Sequence, residues 1–180
     1  MYKLLLASDD PEVLRAFQEV PSWSLLGFHE PRVVSSAEEA MESLKKHHAD
    51  GISFALPGDQ DDVLGRFLTE NYPLLPIMLP SRSTDKVIRD LKRLSHFLTD
   101  IYADTADERY DLAEQMRRIR HAYFRTLISG KVHSRDDVLR RLSIVRSRMD
   151  PDAACVLIRF ALPADDGYLA GRWHYGPERL

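Results

Sequence analysis

Short apolar runs alternate with stretches of helical periodicity through the first hundred residues, which restricts the chain to a small set of folds. Leu4-Leu5-Leu6 reads as a buried strand that leads through Ala7-Ser8 to Asp9-Asp10-Pro11. A helix follows: Asp10 is placed to cap it, Pro11 stands at its first position, and Val13, Leu14 and Phe17 share one face. The stretch from Pro21-Ser22-Trp23 to Phe28 interrupts the pattern, and Arg32-Val33-Val34 is a second short strand. Ser36 with Glu39 three residues on is a capping box, and Ala40, Met41 and Leu44 form the apolar stripe behind it. Residues 52–56 read as a third strand, 63–68 as a helix, and 74–79 as a fourth strand bounded by prolines. Ser83 and Thr84 open a helix through Val87, Ile88, Leu91 and Leu94, and 97–102 reads as a fifth strand. The expectation is an α/β fold with a five-stranded doubly wound parallel sheet. Ligands of such sheets sit at the carboxyl ends of the strands, where Asp9, Asp10 and Ala55 would converge.

The pattern changes near residue 106. Leu112, Met116, Ile119, Tyr123 and Leu127 recur at spacings of four, three, four and four, which predicts one long helix over 106–128 with Gly130 as its stop. A second helix is expected over 134–148, with Val138, Leu142 and Val145 apolar and Asp150-Pro151 as its break. Residues 153–162 read as a strand and Asp165-Asp166-Gly167 as a turn. The division is therefore an α/β domain over 1–105, a connecting helix over 106–130, and the start of a second, α+β domain over 131–180 that ends unfinished.

Charge and cysteine content narrow the function classes. Residues 1–105 hold 11 Lys/Arg against 17 Asp/Glu, whereas 106–180 hold 14 against 11. The basic residues of the second part are interspersed with acids, so the pattern is no nucleic-acid footprint. No run approaches the roughly 18 apolar residues a membrane span needs. The N-terminus has no basic segment followed by an apolar one, so no secretory leader is expected. The single cysteine, Cys155, lies in an apolar run and reads as core; with no internal disulfide available, a reducing cytoplasm is the expected location.

The Leu-Leu-Leu-Ala-Ser-Asp-Asp-Pro start, the Trp23…Leu26-Gly27-Phe28 segment, the Ser36-Ala37-Glu38-Glu39-Ala40 helix entry and Ala49-Asp50-Gly51-Ile52 occur in an order that resembles the receiver domain of two-component response regulators. The Trp…Leu-Gly-Phe segment is most similar to the AraC-type branch, where a receiver precedes a middle region and a helix-turn-helix domain. Leu127-Ile128-Ser129-Gly130 and Trp173-His174-Tyr175-Gly176 are similar to that middle region. The resemblance implies a flavodoxin-like sheet whose strand ends take a phosphoryl group from a histidine kinase, aided by Mg²⁺. It places Asp9 and Asp10 at the metal-binding acids, Ala55 at the phosphoacceptor, Ser81 at the switch hydroxyl and Asp100 at the switch lysine. A methyl group at the acceptor and an acid in place of the lysine are two departures at one site, so ordinary phosphorylation is not expected.

The same residues admit plainer readings. Asp10 before Pro11 is a good helix cap and Asp9 a solvated strand end; two hard oxygen ligands hold Mg²⁺ at low affinity at best. Asp59, Asp61 and Asp62 are alternative acceptors or a solvated loop with a cap. His47-His48 close a helix, where positive charge complements the dipole. His96, His121, His133 and His174 lack metal-ligand spacing, and no nucleophile-base pair or glycine-rich phosphate loop is present. The expected function is thus non-enzymatic: a pseudo-receiver in signal transduction and transcription regulation. It would lack any resident cofactor and signal through a sensor kinase, another signalling protein or a homodimer built on the Leu112–Leu127 stripe. No DNA contact by these residues alone is expected, and any DNA-binding part would lie beyond residue 180 or on a partner. The alternative is a flavodoxin-like domain that binds a small molecule or nucleotide at the strand ends.

Overall fold

A computed structural model describes residues 1–102, 111–131, 134–150 and 152–153. Strand β1 (Leu4–Ser8) is buried along its whole length and pairs in parallel with β2 (Arg32–Val34) on one side and β3 (Gly51–Ala55) on the other. The sheet order is β2-β1-β3. A strand buried on both faces needs apolar residues at every position, which is what Leu4-Leu5-Leu6-Ala7 supplies. Leu4 and Leu6 join one core cluster while Leu5 and Ala7 join the other, as the two-residue period of a strand requires.

Helices cover both faces. Helix α1 (Pro11–Gln18) inserts Val13, Ala16 and Phe17 into the first cluster. Helices α2 (Ala37–Lys46) and α3 (Gln60–Asn71) close the second face with Ala37, Ala40, Leu44, Leu64 and Leu68. The Tyr72 hydroxyl donates to the Leu44 carbonyl at 3.1 Å and ties the end of α3 to α2. Both sequence-read caps form: Asp10 accepts from Glu12 and Val13 backbone N–H, and Ser36 Oγ from that of Glu39. The Glu39 carboxylate returns its half of the box to the Ser35 N–H at 2.8 Å, one residue earlier than expected. Between α1 and β2 a single 3-10 turn (Ser24–Leu26) ends at Gly27, where a side chain would be strained by the φ of +84° and would press on Ser95 Oγ, 2.9 Å from an added Cβ.

The sheet departs from expectation at the fourth and fifth strands. Residues 74–79 pair with the sheet through one isolated bridge, Ile77 to Ile52, made by the Met78 N–H donating to the Ile52 carbonyl and the Ile52 N–H to that of Pro76. Pro73, Pro76 and Pro80 remove three backbone donors from this run, so a regular ladder does not propagate. Residues 97–102 are the last turns of α4 (Thr84–Tyr102), a helix of 19 residues, rather than a strand. Val87, Leu91, Leu94, Leu98 and Ile101 keep a three- and four-residue spacing without a glycine or proline to interrupt it, and that face packs on the first cluster.

Helix α5 (Leu112–Ile128) ends in a Schellman motif: Gly130 at φ +70°, Gly130 N–H to Leu127 carbonyl and Lys131 N–H to Thr126 carbonyl. Helix α6 (Arg135–Ile144) is capped by Ser134 and stops earlier than expected, at Val145. Met116, Tyr123, Leu142, Ile144 and Val145 belong to the same cluster as Leu4 and Phe17, so these helices extend the first core. Residues 154–162 of the expected strand, Cys155 among them, the Asp165-Asp166-Gly167 turn and the Trp173-to-Gly176 segment lie outside the described residues.

Candidate functional site

The carboxyl ends of β1 and β3 lie side by side because Ser8 and Ala55 are register partners. Asp9 and Asp10 follow Ser8 directly, and the Asp10 backbone N–H donates to Ser8 Oγ at 3.1 Å, which folds the acidic pair over the strand end. The register thus brings the two acids and the Ala55 methyl to one rim. Ser81 is buried, and its Oγ accepts the Ser83 N–H at 3.2 Å, a local turn that starts α4.

The fifth position is not brought there. Asp100 is sixteen residues beyond Thr84 on α4, about 24 Å along the axis at 1.5 Å per residue, and faces His96 at 3.7 Å. Thr99, its neighbour, meets the Tyr2 hydroxyl at 3.1 Å, at the opposite end of the sheet. The expectation that Asp100 replaces a lysine at the strand ends fails because its segment is helical.

A residue absent from the sequence reading completes the rim. Arg82 sets Nη2 2.8 Å and Nε 3.1 Å from Asp10 Oδ2, while Asp10 Oδ1 remains on the α1 N-terminus. Both oxygens of Asp10 are therefore committed, and the Arg82 hydrogen bond holds the carboxyl below the usual carboxylate range, with the cap bond adding to it. Arg82 also reaches Glu12 at 3.2 Å. The only sequence signal for this role is a basic residue just after the proline-bounded run, next to Ser81. It carries no information about a partner 72 positions earlier.

A divalent metal does not fit this donor set. Asp10 is occupied by backbone N–H groups and a guanidinium, and Ala55 offers no oxygen. Among the described residues no group of three or more His, Cys, Asp or Glu side chains could hold a metal ion. Of the alternative acceptors, Asp61 Oδ1 accepts the Leu56 N–H at 2.7 Å, whereas Asp59 stands at the N-cap of α3 without a side-chain cap hydrogen bond. His47 closes α2, and His48 Nε2 lies 2.9 Å from Asp50 Oδ1.

A second polar constellation joins α4 to α6. Asp90 is almost wholly buried, with Arg140 Nη1 at 2.5 Å and Arg93 Nη1 at 3.1 Å from its two oxygens. Burial pushes the Asp90 carboxyl up against the opposing pull of these arginines. Arg140 also donates to the Leu79 carbonyl at 3.3 Å, so α6 is fastened two residues from Ser81. Within the sheet, where it is the register partner of Leu6, Ser53 is fully buried and its hydroxyl has no partner among the described residues.

The helix stripe singled out for dimerisation packs against the chain's own core, two of its residues buried and three half-buried. Met116 and Tyr123 are buried, and Leu112, Ile119 and Leu127 pack against the same cluster. Among the described residues no helix is long and apolar enough to cross a membrane. No protein-family model, curated protein or solved structure matches this chain.

Proposed function

We propose that the chain is a pseudo-receiver: a response-regulator-like signalling module, not an enzyme, that works without phosphorylation. The β2-β1-β3 order with helices on both faces suits the flavodoxin-like half of that reading. The observation that carries it is the rim itself. Arg82 sits on Asp10 where a metal would be needed, opposite a methyl group at Ala55. An internal cation in place of an exchangeable one fixes the site in a single charge state, so a signal would have to act elsewhere. The output in this reading is a change in what α5 packs against, the chain's own core or a second copy or signalling partner. The test is acetyl phosphate or beryllofluoride with Mg²⁺, followed by intact mass and two-dimensional NMR. No adduct and no shifts at Asp9, Asp10, Ala55 or Ser81 are expected; an adduct at any aspartate overturns the reading.

A further inference from the structure

Lys86, Arg89, Asp90 and Arg93 recur at i, i+3, i+4 and i+7, so α4 carries a charged face beside its apolar one. That face meets Asp136, Asp137 and Arg140 of α6, and with Lys131 they line a solvent-open cavity of about 320 Å³. Every carboxylate in its wall is already answered. Asp90 is held by Arg140 and Arg93, Asp136 by Arg140 at 3.0 Å and Lys86 at 3.4 Å, and Asp137 by Arg93 and by Arg141 at 3.0 Å. Arg89 and Lys131 remain: both are exposed, both line the cavity, and neither has a carboxylate within ion-pair distance among the described residues. Five cations thus stand against three carboxylates, and the two in excess border the same space.

Two uncommitted cations beside a network that fixes its own acids make a place for a ligand bearing two negative charges. The arginine fork suits oxygens arranged around one centre, and a phosphate monoester carries close to two charges at neutral pH. The space is larger than an inorganic phosphate needs, which leaves room for the organic part of an ester. We propose that the α4–α6 cavity binds a small phosphomonoester, with Arg89 and Lys131 as the cations that meet it. The site is distinct from the strand-end rim, and its existence is independent of whether the rim accepts phosphate.

The test is calorimetric titration of the full chain with glycerol 3-phosphate and with inorganic phosphate at fixed ionic strength, in parallel with sodium chloride. Saturable binding of the ester is expected, weakened at least about tenfold in the Arg89→Gln/Lys131→Gln variant, since one charged hydrogen bond accounts for that much. Both positions are exposed, so the ligand-free unfolding midpoint of the variant should match the parent. Lys92→Gln, on the same helix but outside the cavity, should bind like the parent. Absence of saturable binding overturns the proposal. Equal binding by the double variant does so too, as does a loss in Lys92→Gln as large as in the double variant, which would mean general attraction to positive charge. Binding of inorganic phosphate as tight as the ester would overturn the ester assignment.

Discussion

Asp10 and Arg82 are 72 positions apart and meet with two hydrogen bonds on one carboxylate oxygen. The pair is exposed enough that its direct contribution to stability is small, but it sets the charge of the rim. Asp10 has its folded-state pKa lowered from the ordinary 3.8, first by Arg82 and then by the α1 backbone. A carboxyl of this kind contributes stability that is fully present above its unfolded value and is lost as pH falls through the lowered folded value. Arg82→Gln removes the largest cause while the cap bonds stay. The Asp10 pKa should rise toward its unfolded value in that variant, so its contribution to stability should shrink and its acid-side loss should be complete at a higher pH. Carbon-detected NMR titration of the Asp10 carboxyl reads this directly; an unchanged value would mean that the pair does not form in solution.

At the scale of elements, what could be read from the sequence was what local chemistry decides. The Leu4-Leu5-Leu6 run, the Asp10-Pro11 and Ser36 helix starts and the Gly130 stop each state their conformation within a few residues, and all formed. Residues 97–102 are apolar enough for a buried strand, but the unbroken helical spacing from Val87 outweighed that composition. The Arg82–Asp10 rim and the Asp90–Arg140 link were not legible, because their partners are separated by long stretches of chain and chosen by packing. Nothing in the local sequence separates Asp90 and Arg140 from surface charges on amphipathic helices, yet both are buried. Removing Arg140 leaves the buried Asp90 carboxylate half-stranded, with Arg93 as its remaining cation, so Arg140→Leu should cost about 3 kcal/mol, the low end for a broken buried pair. Adding Asp90→Asn should restore a large part of that loss, since the stranded charge is gone. Urea unfolding of the two variants decides it: if the double variant is no more stable than the single, the link between α4 and α6 is not electrostatic.

On the scale of the whole molecule, the first core does not stop where an α/β domain ending at 105 would stop. Leu4 and Phe17 share one cluster with Met116, Tyr123 and Leu142, so α5 and α6 help cover the sheet-facing helices rather than stand apart. The stripe from Leu112 to Leu127 has the spacing of a helix pair, but its burial means that a dimer built on it must first take it from the chain's own core. Two states that compete for one apolar face can serve as a switch only if the internal packing can be loosened. Leu142 is the lever: it is buried in α6, and Leu142→Ala should weaken that packing by about 2–5 kcal/mol. The parent chain should therefore show a monomer mass by light scattering at tens of micromolar, while Leu142→Ala shifts toward the dimer at the same concentration. Hydrogen exchange would show the accompanying change as faster exchange along α4, against which α5 now packs. A Leu142→Ala protein that exposes the stripe yet remains monomeric would make the stripe core alone, and the signal would then have to leave the molecule by a surface other than α5.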